Sequence, residues 1–469
     1  MSVEIARLPA TELLRCFRRR ELSPVEATRA ALARIEECNG VVNAFRIVDG
    51  DRAMADARAS EARWMAGAPL GPVDGVPTSV KDIVLTKGWS TLRGSRTIDP
   101  DQPWEDDAPS VARLRESGAV LLGKTTTPEF GWKGVTDSPL TGVTRNPWHT
   151  GRTPGGSSGG AAAAAALGMG ALHIGTDGGG SIRMPGGFTG IFGLKPSFGR
   201  VPAWPGSVFG TLAHIGPMTR TVGDAALMLN VLSGPDARDW TALPATGRDY
   251  RVGLEDGVAG LRIAFSPALG RADVDPEIAA LVRSAVGVLE SLGAHVTETD
   301  PGFDDPAETF RRHWYSAAAY MVGTFPAADR NLLDPGLQEI AAQGAEITMT
   351  EYMEAVTARN RLGETMSRFH DEYDLLLTPT LPIPAFAAGQ EAPDPGRMPR
   401  WTSWTPFTYP FNLTQQPAAT VPCGFNSEGL PAGLQIIGAR DADALVLRAA
   451  RAYESACPFR MPDSPNIQH

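Results

Sequence analysis

Apolar positions in this chain recur at two spacings, and the switches between them lay out a series of elements. Residues 8–38 carry helical spacing in two pieces, divided at ELSPVE, where Ser23-Pro24 makes a helix start. Short β-type runs then alternate with helical ones. NAFRIV and GVPTSVKDIV read as strands, DAPSVARLRESG as a helix and AVLLG as a strand. The run AAAAAALGMGALHIG reads as a buried helix followed by a strand. Beyond it, TVGDAALMLNVLSG and DPEIAALVRSAVGVLESLG are helical, with GLRIAFSP and AHVTETD as strands. YDLLLTPT, AATVPCGF and AGLQIIGA are strands, and DADALVLRAARAYESA is a closing helix. This alternation predicts an α/β layer structure around a largely parallel or mixed sheet. No internal repeat or low-complexity linker interrupts it. One compact domain over residues 1–469 is therefore expected, with a helical insertion at about 303–370. Residues 387–400, AAGQEAPDPGRMPR, are rich in proline and glycine and are expected to be mobile.

Composition narrows the class. A chain of 469 residues, 42% of them apolar, is ample for a packed core. Its formal charge of −10 argues against nucleic acid or an anionic membrane surface as the main partner. Cys16, Cys38, Cys423 and Cys457 are too scattered for a disulfide framework or a close metal-type pair, so a reduced, cytoplasmic setting is expected. The N-terminus has basic residues but no apolar stretch after them, unlike a signal peptide. The apolar run at 161–175 is too short and too glycine-broken to span a bilayer.

Two motifs carry tempting chemistry. GAVLLGKT, at 118–125, matches the phosphate-loop pattern G-x-x-x-x-G-K-[ST]. That loop must lie between a strand and a helix, whereas here a helix precedes and the intervening Ala-Val-Leu-Leu forms a strand. GGSSG, at 155–159, matches the nucleophile elbow G-x-S-x-G, yet RNPWHTGRTP cannot be the strand the elbow needs. The histidines available to complete such a triad, His173, His214, His295, His313, His370 and His469, carry no local signature.

Two serine patches set in glycine remain, TPGGSSGG and GTDGGGSIR. A serine hydroxyl attacks only if a base takes its proton. Without a histidine, a neutral lysine can serve, provided burial lowers its pKa by about three units from its reference value. Lys81 fits, because the apolar strand GVPTSV carries it towards the sheet interior; the plain alternative is a lysine snorkelling at a strand end. The triple glycine has a matching use. Unshielded backbone N–H groups can receive the oxyanion of a tetrahedral intermediate.

In order along the chain, GVPTSVKDI, GKTTTPEFGWKGVTDSPLTGVTRNPW, TPGGSSGGAAAAAA, GTDGGGSIRMPGGFTGIFGLKPSFGRVP and NLTQQPAATVPCGF…GLPAGLQIIG resemble the motifs of the amidase signature enzymes. The resemblance covers nearly the whole chain and is densest between 71 and 220. It implies the amidase signature fold, a large mixed twisted sheet covered by helices on both faces. It also implies a Ser–cisSer–Lys triad: Ser181 as nucleophile, Ser157 as the bridging serine after a cis peptide bond from Gly156, and Lys81 as base. The N–H groups of Gly178, Gly179, Gly180 and Ser181 would form the oxyanion hole, braced by Asp177 and Arg183, with Ser158 supporting the triad. No metal or organic cofactor is implied. The expected partner is a small-molecule amide, ester or carbamate, and a homodimer is left open.

Where this chain departs from the family, the changes bear on substrate fit. Gly178 stands for the usual threonine of GTDTGGSIR, Gln415 for glycine in NLTGQPA, and Ala161 for the last serine of GGSSGGS. Phe130, Trp132, Trp204 and Phe209 are candidates for an apolar pocket suited to an aryl or hydrophobic acyl amide, with Trp401, Trp404, Phe407, Tyr409 and Phe411 further aromatics near the C-terminus. Two rival readings stand beside an amidohydrolase. One is the A subunit of a tRNA-dependent amidotransferase, whose usual SIRQPA is SIRMPG here; the other is a non-catalytic binding relative.

Overall fold

The structure is a computed structural model and describes residues 2–466. Its strands are β1 (Phe45–Val48), β2 (Pro77–Lys81), β3 (Val120–Thr125), β4 (Asp137–Ser138), β5 (Gly142–Val143), β6 (Leu172–Asp177), β7 (Phe192–Lys195), β8 (His214–Thr219), β9 (Arg262–Phe265), β10 (His295–Glu298), β11 (Leu375–Pro379), β12 (Ala418–Phe425) and β13 (Pro431–Gly438). Eleven of them form one sheet in the order β1-β3-β2-β6-β8-β7-β12-β13-β11-β9-β10, while β4 and β5 pair separately. β2 runs parallel to both β3 and β6, and β9 to both β10 and β11. The remaining pairs are antiparallel, so the sheet is mixed, as expected.

Both faces are covered, because successive strand residues enter different cores. On β11, Leu375 and Leu377 join one apolar cluster and Leu376 the other. Ile263 and Phe265 part from Ala264 on β9 in the same way. Helices Val222–Leu232, Pro276–Ser291 and Asp443–Ala456 pack on the first face. Helices Ala307–Gly323, Pro335–Ala345 and Met349–Glu372, in the region expected to be helical, supply the second cluster.

At the N-terminus the predicted helix start is built as a capping box. Ser23 Oγ accepts from Glu26 N at 3.2 Å, and the Glu26 carboxylate accepts from Ser23 N at 2.9 Å, with Pro24 opening helix Pro24–Val42. The alanine run forms helix Gly159–Leu167, every residue of which is buried. Its small side chains allow close approach: a β-carbon at Gly160 would lie 2.4 Å from Thr126 Oγ1. Lys124, the lysine of the phosphate-loop pattern, lies within β3 and donates to the Val84 carbonyl at 2.8 Å. The segment 387–400, expected to be mobile, is held at both ends. Ala388 N donates to Gly151 O, and Glu391 accepts from Trp401 N and pairs with Arg400. Among the described residues, no helix is long and apolar enough to cross a membrane.

Candidate active site

Strands β2, β3 and β6 are parallel neighbours, so their C-terminal ends lie together, the usual place for a site in such a sheet. Lys81 is the last residue of β2 and is fully buried. Its Nζ lies 2.7 Å from Ser157 Oγ, 2.8 Å from Ser158 Oγ and 2.9 Å from Thr176 Oγ1. Among the described residues it has no carboxylate partner. Burial holds it well below the usual lysine range, against the opposing pull of the Asp177 carboxylate.

The loop before helix Gly159–Leu167 brings the hydroxyls to this amine. The Gly156–Ser157 peptide is cis. Ser158 precedes the helix, but its hydroxyl does not cap it; Oγ donates to Thr176 O at 3.1 Å and accepts from Thr176 N at 3.2 Å. Ser158 N also donates to Ser181 O at 3.2 Å, tying the two serine patches together. Ser181 is 4% exposed and lines the same cavity as Ser157, and among the described residues its Oγ makes no hydrogen bond.

The glycine loop between β6 and Ser181 is fixed by Asp177. Arg183 Nε and Nη2 reach its two carboxylate oxygens at 3.0 and 2.9 Å, and Asn412 Nδ2 adds a third bond at 2.9 Å. Burial alone would raise the Asp177 pKa, yet Arg183 and these hydrogen bonds hold it below the usual carboxylate range. Here the sequence expectation needs correction. Gly180 N–H donates to Asp177 Oδ1 at 2.7 Å and is not free to meet an oxyanion. Among the described residues, the N–H groups of Gly178, Gly179 and Ser181 have no hydrogen-bond partner.

A cavity of about 260 Å³ opens over these groups. Of the predicted pocket residues, Phe130, Trp204 and Phe209 line it. Trp132 does not: it is buried in the second core, where its ring meets Gly336, and its carbonyl accepts from Trp314 Nε1 at 3.1 Å. Trp401, Trp404, Phe407, Tyr409 and Phe411 are likewise buried away from the cavity. Trp314, Met321 and Phe325 line it instead, reaching over from helix Ala307–Gly323 and the residues after it. None of the candidate histidines within the described residues bonds to Ser157, Ser158 or Ser181, and His469 lies outside those residues. His214 does line the cavity. Its Nδ1 faces the Leu212 and Asp177 carbonyls at 2.8 and 3.2 Å and so carries the ring proton.

A family model described as Amidase matches residues 26–447. The chain belongs to the amidase family. This amidase is 38% identical to an acylamidase of Rhodococcus erythropolis, covering 96% of each chain. It is also 38% identical to the A subunit of the glutamyl-tRNA(Gln) amidotransferase of Myxococcus xanthus, covering 95% of this chain and 96% of that one. Among solved structures, a bacterial aryl acylamidase superposes with a TM-score of 0.90 at 33% identity, covering 96% of each chain. A 6-aminohexanoate cyclic dimer hydrolase complexed with substrate superposes with a TM-score of 0.89 at 30% identity, covering 98% of this amidase and all of that chain.

Two features of the amidase site were not singled out in its sequence. Lys195, inside GLKPS, is fully buried and bonded to the Gln416 carbonyl, with its Nζ 3.5 Å from His214 Nε2; burial holds its pKa well below the usual lysine range. The second is the partner of Gly178. A β-carbon at 178 would lie 2.9 Å from the Trp314 ring, which itself stacks on Phe209 at 3.8 Å. Gly178 thus gives Trp314 its place in the pocket wall. Gly178→Thr is expected to cost about 1–3 kcal/mol by overpacking, measured by urea unfolding, and the loss in Gly178→Thr/Trp314→Ala should be smaller than the sum of the losses in Gly178→Thr and Trp314→Ala. A double-variant loss equal to that sum would show that the two positions are not coupled.

Proposed function

We propose that this amidohydrolase cleaves carboxylic amides of apolar, aryl-type substrates through an acyl-enzyme on Ser181. Lys81 acts as the base and Ser157 as the proton relay. The observation that carries this reading is the Lys81 amine, wholly buried, with three hydroxyls within 2.9 Å and, among the described residues, no acid to pair with. A neutral amine has two N–H donors and one lone pair. The Ser158 proton goes to the Thr176 carbonyl, so Ser158 Oγ accepts from Nζ. A second N–H to Thr176 Oγ1 leaves the lone pair for the Ser157 O–H.

In this mechanism Ser157 passes its proton to Nζ as it takes the proton of Ser181, whose Oγ attacks the substrate carbonyl. The oxyanion is received by the N–H groups of Gly178, Gly179 and Ser181; each such donor contributes about 2.7–4 kcal/mol to the transition state. Asp177 and Arg183 keep those amides in place. Ser157 returns a proton to the leaving amine, and water then releases the acyl group. Phe130, Phe209, Trp314 and Phe325 give the substrate an aromatic surround.

The likeness to the A subunit of a glutamyl-tRNA(Gln) amidotransferase favours a second reading, in which the same chemistry serves a larger assembly. The purified chain alone is expected to hydrolyse 4-nitroacetanilide, followed by release of 4-nitroaniline, and to be labelled by a serine-directed fluorophosphonate. Labelling without turnover of any anilide would favour the assembly reading. Neither labelling nor turnover would favour a binding role.

A further inference from the structure

We propose that Arg93 is a substrate-recognition residue and that the preferred amides carry a carboxylate in addition to the scissile bond. The inference deepens the amidohydrolase reading and rests on it. Among the described residues, two ionisable side chains that carry charge line the cavity, Arg93 and Asp177. Asp177 is neutralised by Arg183. The Arg93 guanidinium has no hydrogen bond, ion pair or ring contact among the described residues.

The surroundings cannot supply the missing anion. Asp82 is the nearby carboxylate, but Arg46 takes both of its oxygens, at 2.7 and 2.9 Å, and Lys124 Nζ lies 3.6 Å from one of them. Arg46, Lys124 and Arg93 thus share one negative charge. Burial brings Lys124 down to about 7, and Arg46 and Arg93 press it in the same direction. Burial also pulls Arg93 below its usual range, opposed by Asp82. A cation held in a largely apolar cavity without a partner is costly unless something arrives to pair with it.

The backbone holds Arg93 in a fixed place. Its φ is +54°, a region non-glycine residues seldom occupy. Arg93 N donates to Asp82 O at 2.9 Å and its carbonyl accepts from Phe130 N at 2.7 Å. Phe130 is itself a cavity wall, and a β-carbon at the adjacent Gly131 would stand 3.2 Å from Ser157 Oγ. Arg93 therefore rises from the wall beside the reacting hydroxyls. A planar guanidinium matches a carboxylate with two parallel hydrogen bonds. The substrate class is an amide with an aromatic or apolar body and one acidic group.

The test compares kcat/KM for two pairs of amides. N-phenylsuccinamate against butyranilide puts the acid on the acyl side; 4-acetamidobenzoate against 4-methylacetanilide puts it on the amine side. The wild-type protein should prefer the acid in at least one pair. Arg93→Met should lower that acid-to-neutral ratio by about 10- to 100-fold, chiefly through KM, and Arg93→Lys should restore part of it. A second readout needs no turnover. Ser181→Ala should bind N-phenylsuccinamate or 4-acetamidobenzoate more tightly than its neutral partner, and Ser181→Ala/Arg93→Met should lose that difference; equal binding within both pairs overturns the proposal. Wild-type turnover with no acid preference in either pair, or a preference that survives Arg93→Met, overturns the proposal. If no amide is hydrolysed, the amidohydrolase reading fails, and the binding comparison still decides the role of Arg93.

Discussion

Ser181→Ala is expected to abolish anilide hydrolysis, with kcat falling on the order of 10⁶-fold, as when the nucleophile is removed from other serine hydrolases. The fold should be untouched. The Ser181 side chain has no hydrogen-bond partner among the described residues, so its removal orphans no buried group. Substrate binding should survive, because the cavity walls and the Gly178 and Gly179 amides remain. The check is a single-turnover assay beside equilibrium binding of the same anilide and a thermal melt. Retained turnover would take the nucleophile role away from Ser181.

Lys81→Met is the second large effect, and it separates the base from a structural lysine. Loss of a general base should lower kcat by about 10²- to 10⁴-fold. Stability should move in a pH-dependent way whose sign follows from the depressed pKa. Burial makes the folded-state pKa of Lys81 lower than the unfolded one, so between the two values the unfolded chain binds the extra proton. The resulting destabilisation is fully present below the folded pKa. It fades as pH rises through that value towards the unfolded value of about 10.4. Methionine has no proton to bind. The unfolding free energy of Lys81→Met relative to wild type should therefore be most favourable at the lower end of this window and decline towards its upper end. A variant that is inactive only because it is unfolded at every pH would return Lys81 to a packing role.

The sheet strands with strong apolar runs, such as LLLTP on β11 and AGLQIIG on β13, were legible because burial on both faces demands continuous hydrophobicity. β7 and β8 were not. FGLK and HIGPMT are short and carry glycine and proline, which mark turns more often than strands. β8 accommodates Pro217 where the β7 ladder has already ended, at Met218. Helix Gly50–Ala66 was also missed. GDRAMADARASEARWMA buries only Ala53, Ala57 and Ser60, so it lacks the apolar stripe that marks a packed helix.

The site divides along the same physical line. Lys81, Ser157 and Ser181 sit in glycine-rich or strand-end contexts that local sequence describes. Trp132 could not be separated from Phe130 on sequence, since both follow TPE two residues apart; which one faces the cavity depends on the left-handed turn at Phe130 and Gly131, with φ of 51° and 70°. Trp314 was invisible as a pocket residue because it comes from a helix more than a hundred residues away and is admitted only by the missing side chain at Gly178. The commitment of Gly180 N–H to Asp177 is likewise a matter of loop geometry, where φ at Gly180 is +127°.

The whole mechanism requires that the amine of residue 81 be uncharged when the protein works. Site-resolved NMR of the lysine Nζ or Cε, assigned by comparison with Lys81→Met, reads that proton directly. A Lys81 resonance that titrates well below the ordinary lysine range, in step with the rise of kcat/KM for a neutral anilide, is the predicted result. A Lys81 that titrates near 10.4 while the protein is fully active at neutral pH would contradict it.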